Sequence, residues 1–499
     1  MILSKPTTTQ TSFRNAFDTG MNYLATNKTI GATAVDMLSM VIPRTAIDAT
    51  RSPQAGVETF RRELSSCLLY LFVGGIGTAS GYLLSCLPKN KDYKDFLPRL
   101  QVGHDSVEVF ANFWKNTEKK EGSKQVKQYF YDILKNTQGV SGDKKISIKE
   151  DDCKALARSM SELLNINKID KKQKNLLVQQ ITNATGANES LIVSSGKKQI
   201  TLKAEDLINN SVNLANSFSS QKINNEFKQA KEIKDIPFIK NLKSFSRAKM
   251  FLGLGIVSAI AISMQAVNRY LTKKKTGSDS FVGADDNSTK NKTPEQIKKE
   301  KNKFKFQKLL TTKAMFGLAL LSIGKPKNLL KNLEFSGEQP NLAQYKYIYG
   351  ITIAGRLLAA RDKNELRETA LRDTMGFTSW LILGDIATKS LARTFEKRKG
   401  ISLLNNPNPN ATGFKKIMSS NVKNHSEVVY KNPNTVGKSL SDAIKSSPNE
   451  TKNTLKYLNM AQLGGYLFSG ILLGVIIPII NKKMTENSSK KKEKTSENK

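Results

Sequence analysis

ETFRRELSSCLLYLFVGGIGTAS (Glu58–Ser80) joins two charged helical turns to a long apolar run, and the chain repeats the pattern as ETALRDTMGFTSWLILGDIATKS at Glu368–Ser390. Aligned without gaps, the two segments match at eight of 23 positions, among them Glu58/Glu368, Thr59/Thr369, Arg62/Arg372 and Gly74/Gly384. Upstream, Arg51 meets Arg361 in the same register. A second pair follows in the same order. The segment 247–272 aligns with 460–485, pairing Asn268 with Asn481, Arg269 with Lys482 and Thr272 with Thr485. The chain therefore reads as two related halves. Each has the order arginine, Glu-Thr-x-x-Arg-acid, apolar span, insert, apolar span and Asn-basic-x-apolar-Thr.

The apolar residues are gathered into blocks. Leu64–Pro88 and Tyr457–Asn481 are uncharged over 25 residues each, and Met250–Asn268 over 19. A helix needs ~20 apolar residues to cross a hydrocarbon core, so all three are long enough. Gly77/Gly81 and Gly470/Gly474 have GxxxG spacing, which in a membrane lets helix backbones approach closely. Three shorter runs, 314–324, 347–355 and 374–384, have the length of buried core helices or interfacial segments. Extending the last run past Gly384 would place Asp385 in or near the membrane, where an acid is a functional candidate.

The expected fold is mostly α: a multi-pass helical membrane protein with a helical polar insert domain and an internal duplication. A juxtamembrane region occupies 1–63, and apolar spans occupy 64–88, 250–271 and 457–481. The polar insert domain covers 89–249. A Lys-rich linker and basic helix cover 272–308. The short apolar runs and the second copy of the repeat fall in 309–392, a loop-rich polar insert in 393–456, and a disordered basic tail in 482–499.

Within the insert, Val126, Tyr129, Phe130, Ile133 and Leu134 recur at helical spacing and give one apolar face. GDKKISIK from Gly142 and GKKQITLK from Gly196 read as two short strands that pair with each other. Their helix–loop–strand–helix order is that of paired EF-hands, but the loops carry lysine where a calcium loop needs acidic oxygens. Thr293, Pro294 and Gln296 form a helix start with a capping box. The helix they open is basic on many faces and carries Phe304 and Phe306, a composition that suits a membrane surface or a solvated helix.

With 79 Lys and Arg against 43 Asp and Glu, the net charge is +36. Such a charge serves contact with anionic lipid or nucleic acid, or simply keeps lysine-rich loops soluble. No nucleic-acid-binding motif accompanies it, so an anionic membrane is the expected partner, with protein partners or self-association besides. Basic residues follow both return spans (Lys273–Lys275; Lys482, Lys483), which puts both hairpin flanks and both termini in the cytoplasm. Arg393, Lys397, Arg398 and Lys399 run against that arrangement. Residues 1–30 show no apolar core of a signal peptide.

Three cysteines and two histidines offer no zinc spacing and argue against histidine-based triads. No nucleotide, metalloprotease or serine-hydrolase motif occurs. No catalytic residue, cofactor or metal ligand is named. The polar residues singled out are Glu58, Arg62, Glu368, Arg372 and Asp385, with Glu58/Arg62 and Glu368/Arg372 read as i,i+4 pairs on exposed helix turns. They would serve as equivalent docking elements of a membrane-anchored scaffold or organiser. The alternatives are a two-repeat transporter or channel with Asp385 on its path, and a basic soluble helical protein that buries its apolar helices in its own core.

Overall fold

A computed structural model describes residues 36–87, 100–141, 144–165, 171–186, 191–277, 293–324, 326–335, 337, 340–379, 383–405, 410–429 and 440–497, with isolated positions between 17 and 34. The chain is mostly helical. A π-helical turn (Asp36–Val41) leads into α1 (Ile42–Ala49), which packs on α2 (Pro53–Ser85). Ser52 starts α2, its Oγ accepting from the Ala55 N–H at 3.1 Å while Pro53 occupies the first turn.

The polar insert holds α3 (His104–Asn116), α4 (Gly122–Lys135), α5 (Glu150–Glu162), α6 (Lys171–Thr185), α7 (Ala204–Phe218) and α8 (Gln221–Gln229). Tyr129, Phe130, Ile133 and Leu134 of α4 are fully buried, as their spacing predicts, and Val126 packs at the edge of the same core. Trp114 meets Tyr129 edge-on at 5.2 Å between ring centroids, and Phe218 meets Phe227 at 4.9 Å. These aromatic contacts add to the area the rings bury.

The strand reading needs correcting. β1 (Thr137–Ser141), β2 (Lys144–Ser147), β3 (Leu191–Ser195) and β4 (Lys198–Leu202) form one antiparallel sheet in the order β2-β1-β3-β4. The two expected strands are its outer edges and do not pair with each other. Each folds back on the strand just before it, and β1 and β3 make the central pair. Gly196 turns the second hairpin at φ +59°. The polar TQGVS of β1 gives no alternating signal, and its Gly139 is held where an added Cβ would strike the Thr185 carbonyl.

From the insert the chain passes into α9 (Pro237–Thr276), one 40-residue helix that returns along α2. α10 (Pro294–Ile323) begins with the expected capping box: the Gln296 N–H donates to Thr293 Oγ1 at 3.4 Å and Gln296 Oε1 accepts from the Thr293 N–H at 3.2 Å. Linker residues 278–292 lie outside the described residues. The run 314–324 is the C-terminal part of this 30-residue helix rather than a separate short segment. A short α11 (Leu329–Leu333) precedes α12 (Leu342–Ala359), which contains the run 347–355 as a buried core helix packed on α9 and α10. Close approach requires glycine here. A Cβ on Gly355 would stand 3.0 Å from Ile262 Cα, and one on Gly350 would collide with Ala319 Cβ. Gly77 behaves differently from the GxxxG reading, because it accommodates a ring instead of a helix backbone. Phe335 lies between Gly77 of α2 and Gly253 of α9, within 2.9 Å of where either Cβ would be.

α13 (Lys363–Thr378) and α14 (Gly384–Lys399) follow; Trp380, Leu381 and Ile382 of the third short run lie outside the described residues. The second insert carries α15 (Gly413–Ser419), α16 (His425–Val429), α17 (Leu440–Ser446) and a two-residue ladder between β5 (Leu404–Asn405) and β6 (Asn421–Val422). α18 (Asn449–Ile471) then packs along α14 through Gly464 and Gly465, continues through a π-helical turn (Leu472–Ile476), and becomes α19 (Ile477–Glu497) against α13.

The tail is therefore helical to Glu497 and not disordered from Lys482. The packed part of α19 has already met the cost of nucleation, and Lys and Glu propagate a helix well. Three helices, Pro53–Ser85, Pro237–Thr276 and Asn449–Asn487, are long and apolar enough to cross a membrane.

Candidate functional site

The charged turns that begin the repeat do not form exposed i,i+4 pairs. Glu58, Arg62, Glu368 and Arg372 are 8%, 7%, 3% and 4% exposed, and neither glutamate pairs with the arginine one turn along. Arg51 Nη1 holds Glu368 at 3.1 Å, and Arg361 Nη2 holds Glu58 at 2.5 Å. Arg51 and Arg361 are the positions that align in the sequence, as are Glu58 and Glu368, so each segment's arginine grips the other segment's glutamate. A helix-local pair gains a few tenths of a kcal/mol at a surface. Once these side chains are buried, an unpaired charge would cost several kcal/mol, and for both glutamates the long-range partner wins.

The backbone contacts repeat as well. Asn268 Nδ2 donates to the Glu58 carbonyl at 3.2 Å, and Asn481 Nδ2 to the Glu368 carbonyl at 3.1 Å. Thr272 accepts from Arg61 and Thr485 accepts from Arg367, both at 2.9 Å. Thr485 also donates to Glu368.

Deeper in, Arg356 bridges the acids that follow the two aligned arginines. Its Nη2 is 2.9 Å from Glu63 and its Nη1 is 3.1 Å from Asp373. The same Nη2 reaches Ser66 Oγ at 2.9 Å. Arg44 adds a second cation to Glu63 at 3.4 Å and donates through Nε to the Leu473 carbonyl at 3.2 Å. Leu473 belongs to the π-helical turn, where the regular ladder is interrupted and a carbonyl is free to accept from a side chain. Arg62 lies 3.6 Å from Glu63, Arg372 lies 3.8 Å from both Asp48 and Asp373, and Thr59 donates to Asp48 at 2.6 Å. Glu365 completes the set on Arg361 at 2.9 Å. Six arginines (44, 51, 62, 356, 361 and 372) thus face six carboxylates (48, 58, 63, 365, 368 and 373).

Asp385 is not brought to this cluster. It pairs with Lys389 one turn along α14 at 2.6 Å, with its side chain 52% exposed. Sequence reasoning missed Arg44, Asp48, Arg356 and Glu365, and it aligned Glu63 with Asp373 without giving either a role. Arg356 carried a signal, because it closes the apolar run 347–355, and a charge in such a place is there for a partner. Asp48, Arg51, Ala55, Glu58, Thr59, Arg62, Glu368 and Arg372 line a small cleft between α2 and α13.

Among the described residues, His104, Asp105 and Glu108 are the group whose ligand atoms lie close enough to hold a metal ion, within 4.8 Å of one another. Lysines already occupy both carboxylates. Lys331 is 2.5 Å from Asp105, and Lys198 and Lys243 pair with Glu108. Partial burial lowers the His104 pKa, and Lys243 and Arg247 lower it further. This surround disfavours a cation.

Comparison with known protein families, curated proteins and solved structures finds no match to this chain.

Proposed function

We propose that the chain is a multi-pass membrane protein built from two related halves, α2 with α9 and α13–α14 with α18–α19, and that it acts as a scaffold. In this reading it holds a folded polar domain at one face of a membrane and gathers anionic lipid or protein partners at the other. The observation that carries the proposal is the repetition of contacts at aligned positions: Arg51 on Glu368 and Arg361 on Glu58 between the halves, and Asn268 on the Glu58 carbonyl and Asn481 on the Glu368 carbonyl within them. A shared ancestral hairpin accounts for both the alignment and the repeated partners.

A rigid body suits a scaffold. α9 runs unbroken from insert to bundle, about 60 Å at 1.5 Å per residue, and a buried ion-pair network specifies one arrangement of the halves. The basic ends of α9 and α19, by the positive-inside rule, mark the cytoplasmic face. There each lysine or arginine near anionic lipid contributes about 1 kcal/mol. Asn459, midway along α18, donates to Asp18, whereas Lys482 donates to Thr50 near the start of α2.

Alkaline carbonate washing of membranes should leave the protein in the pellet; release would favour the soluble basic protein. Purified protein in neutral vesicles should tether added anionic vesicles, with tethering lost at high salt. Failure to tether at low salt would remove the organiser role.

A transporter is the second reading. The cleft at Arg51 and Glu368 lies between the halves, as transporter sites do, but at the charged end of the spans and not at the midplane. A cysteine at Ala55, in a chain freed of its native cysteines, should then react with a membrane-impermeant thiol reagent. Protection in every condition favours the scaffold.

A further inference from the structure

We infer that the outer groove between α2 and α9 binds an acyl chain of one anionic phospholipid, with the phosphate drawn to Arg61. The inference rests on the membrane reading above. The groove has a volume of about 330 Å³ and runs between two of the helices long enough to span, within the range of small-molecule sites. Leu64, Leu68, Met264, Val267 and Leu271 line it, and Leu68, Val267 and Leu271 are exposed.

The polar side chains of its wall already spend their donors on backbone carbonyls. Ser65 Oγ donates to the Arg62 carbonyl at 3.1 Å and Ser263 Oγ to the Ile260 carbonyl at 3.0 Å. Asn268 spends its amide on the Glu58 carbonyl. The groove therefore presents hydrocarbon to its occupant, and an alkyl chain matches it better than a peptide with unpaired backbone groups.

Charge selects the head group. Arg61 lines the groove, and its guanidinium is fixed by a 2.9 Å hydrogen bond to Thr272. The exposed Lys273, Lys274 and Lys275 follow at the same end of α9. An arginine offers two parallel N–H bonds to a phosphate, and the nearby lysines raise the local concentration of anionic lipid.

The test is photolabelling of the full chain in bilayers that contain phosphatidylglycerol with a diazirine in its acyl chain. Adducts should concentrate on residues 64–71 and 263–271. Unlabelled phosphatidylglycerol should compete and phosphatidylcholine should not. Arg61→Gln should lower this labelling roughly five-fold, the effect of one basic contact, while Arg61→Lys keeps most of it. Labelling spread evenly over the three long helices, or unchanged in Arg61→Gln, overturns the site and leaves the membrane reading intact. Absence of label from all three helices, with release into carbonate, overturns both.

Discussion

Arg51 grips Glu368 across 317 positions of sequence, Glu368 buried and the bond part-buried, and the aligned residues Arg361 and Glu58 make the same bond with the two segments exchanged. Two pairs of this kind fix the relative position of α2 and α13 more tightly than apolar packing, which tolerates sliding. Arg356, placed between Glu63 and Asp373, closes the cluster from α12.

Arg51→Ala leaves Glu368 in the interior without its cation, and should cost roughly 3–5 kcal/mol of stability. The exchange Arg51→Glu with Glu368→Arg should restore much of that loss, since opposite charges again face each other. Thermal unfolding in detergent of the two single variants and the double variant gives the coupling directly. Additive losses would mean that the pair is incidental.

Glycine substitutions should change sign with position. Gly355→Ala puts a Cβ 3.0 Å from Ile262 Cα and should destabilise by 1–3 kcal/mol, as overpacking does. Gly255 and Gly317 have open space at the same point, so alanine there should stabilise the helix by about 0.5–1 kcal/mol. A stability gain at position 355 would contradict the close packing of α9 and α12.

His425 is fully buried, with Nε2 2.5 Å from Asn459 Oδ1, and burial pushes its pKa down from 6.5 to about 4. The unfolded chain takes up its proton below 6.5 while the folded chain does not until about 4. Stability from this group is thus complete above pH 6.5 and falls as pH drops through that window, by roughly 3 kcal/mol at most. His425→Gln should flatten that part of the curve. An equal pH dependence in the variant would assign the effect to other groups.

Phe335→Ala removes the ring held between Gly77 and Gly253. The loss should be about 3–5 kcal/mol, felt where the insert meets the bundle. Hydrogen exchange should rise at the facing ends of α2 and α9 and leave the Trp114–Tyr129 core of the insert protected. Uniform deprotection would mean that insert and bundle unfold as one unit.

The long apolar helices, the Thr293–Gln296 capping box and the buried face of α4 were legible in the sequence because each is decided within one or a few turns. Run length, a cap three residues from its partner and a repeating apolar spacing are local quantities. The sequence alignment also marked Arg51, Glu58, Arg361 and Glu368 as matched positions, but not as partners. Pairing was decided only when α2 and α13 came together, because a buried charge takes the nearest opposite charge in space, and that choice overrode the weak i,i+4 preference of Glu58 for Arg62. The same holds for the sheet. The edge strands announced themselves by alternation, whereas their true partners, β1 and β3, were fixed by hairpin turns and the packing of helices around them. Local pattern set which segments form helices and strands; tertiary contact set what every buried charge and every strand edge would meet.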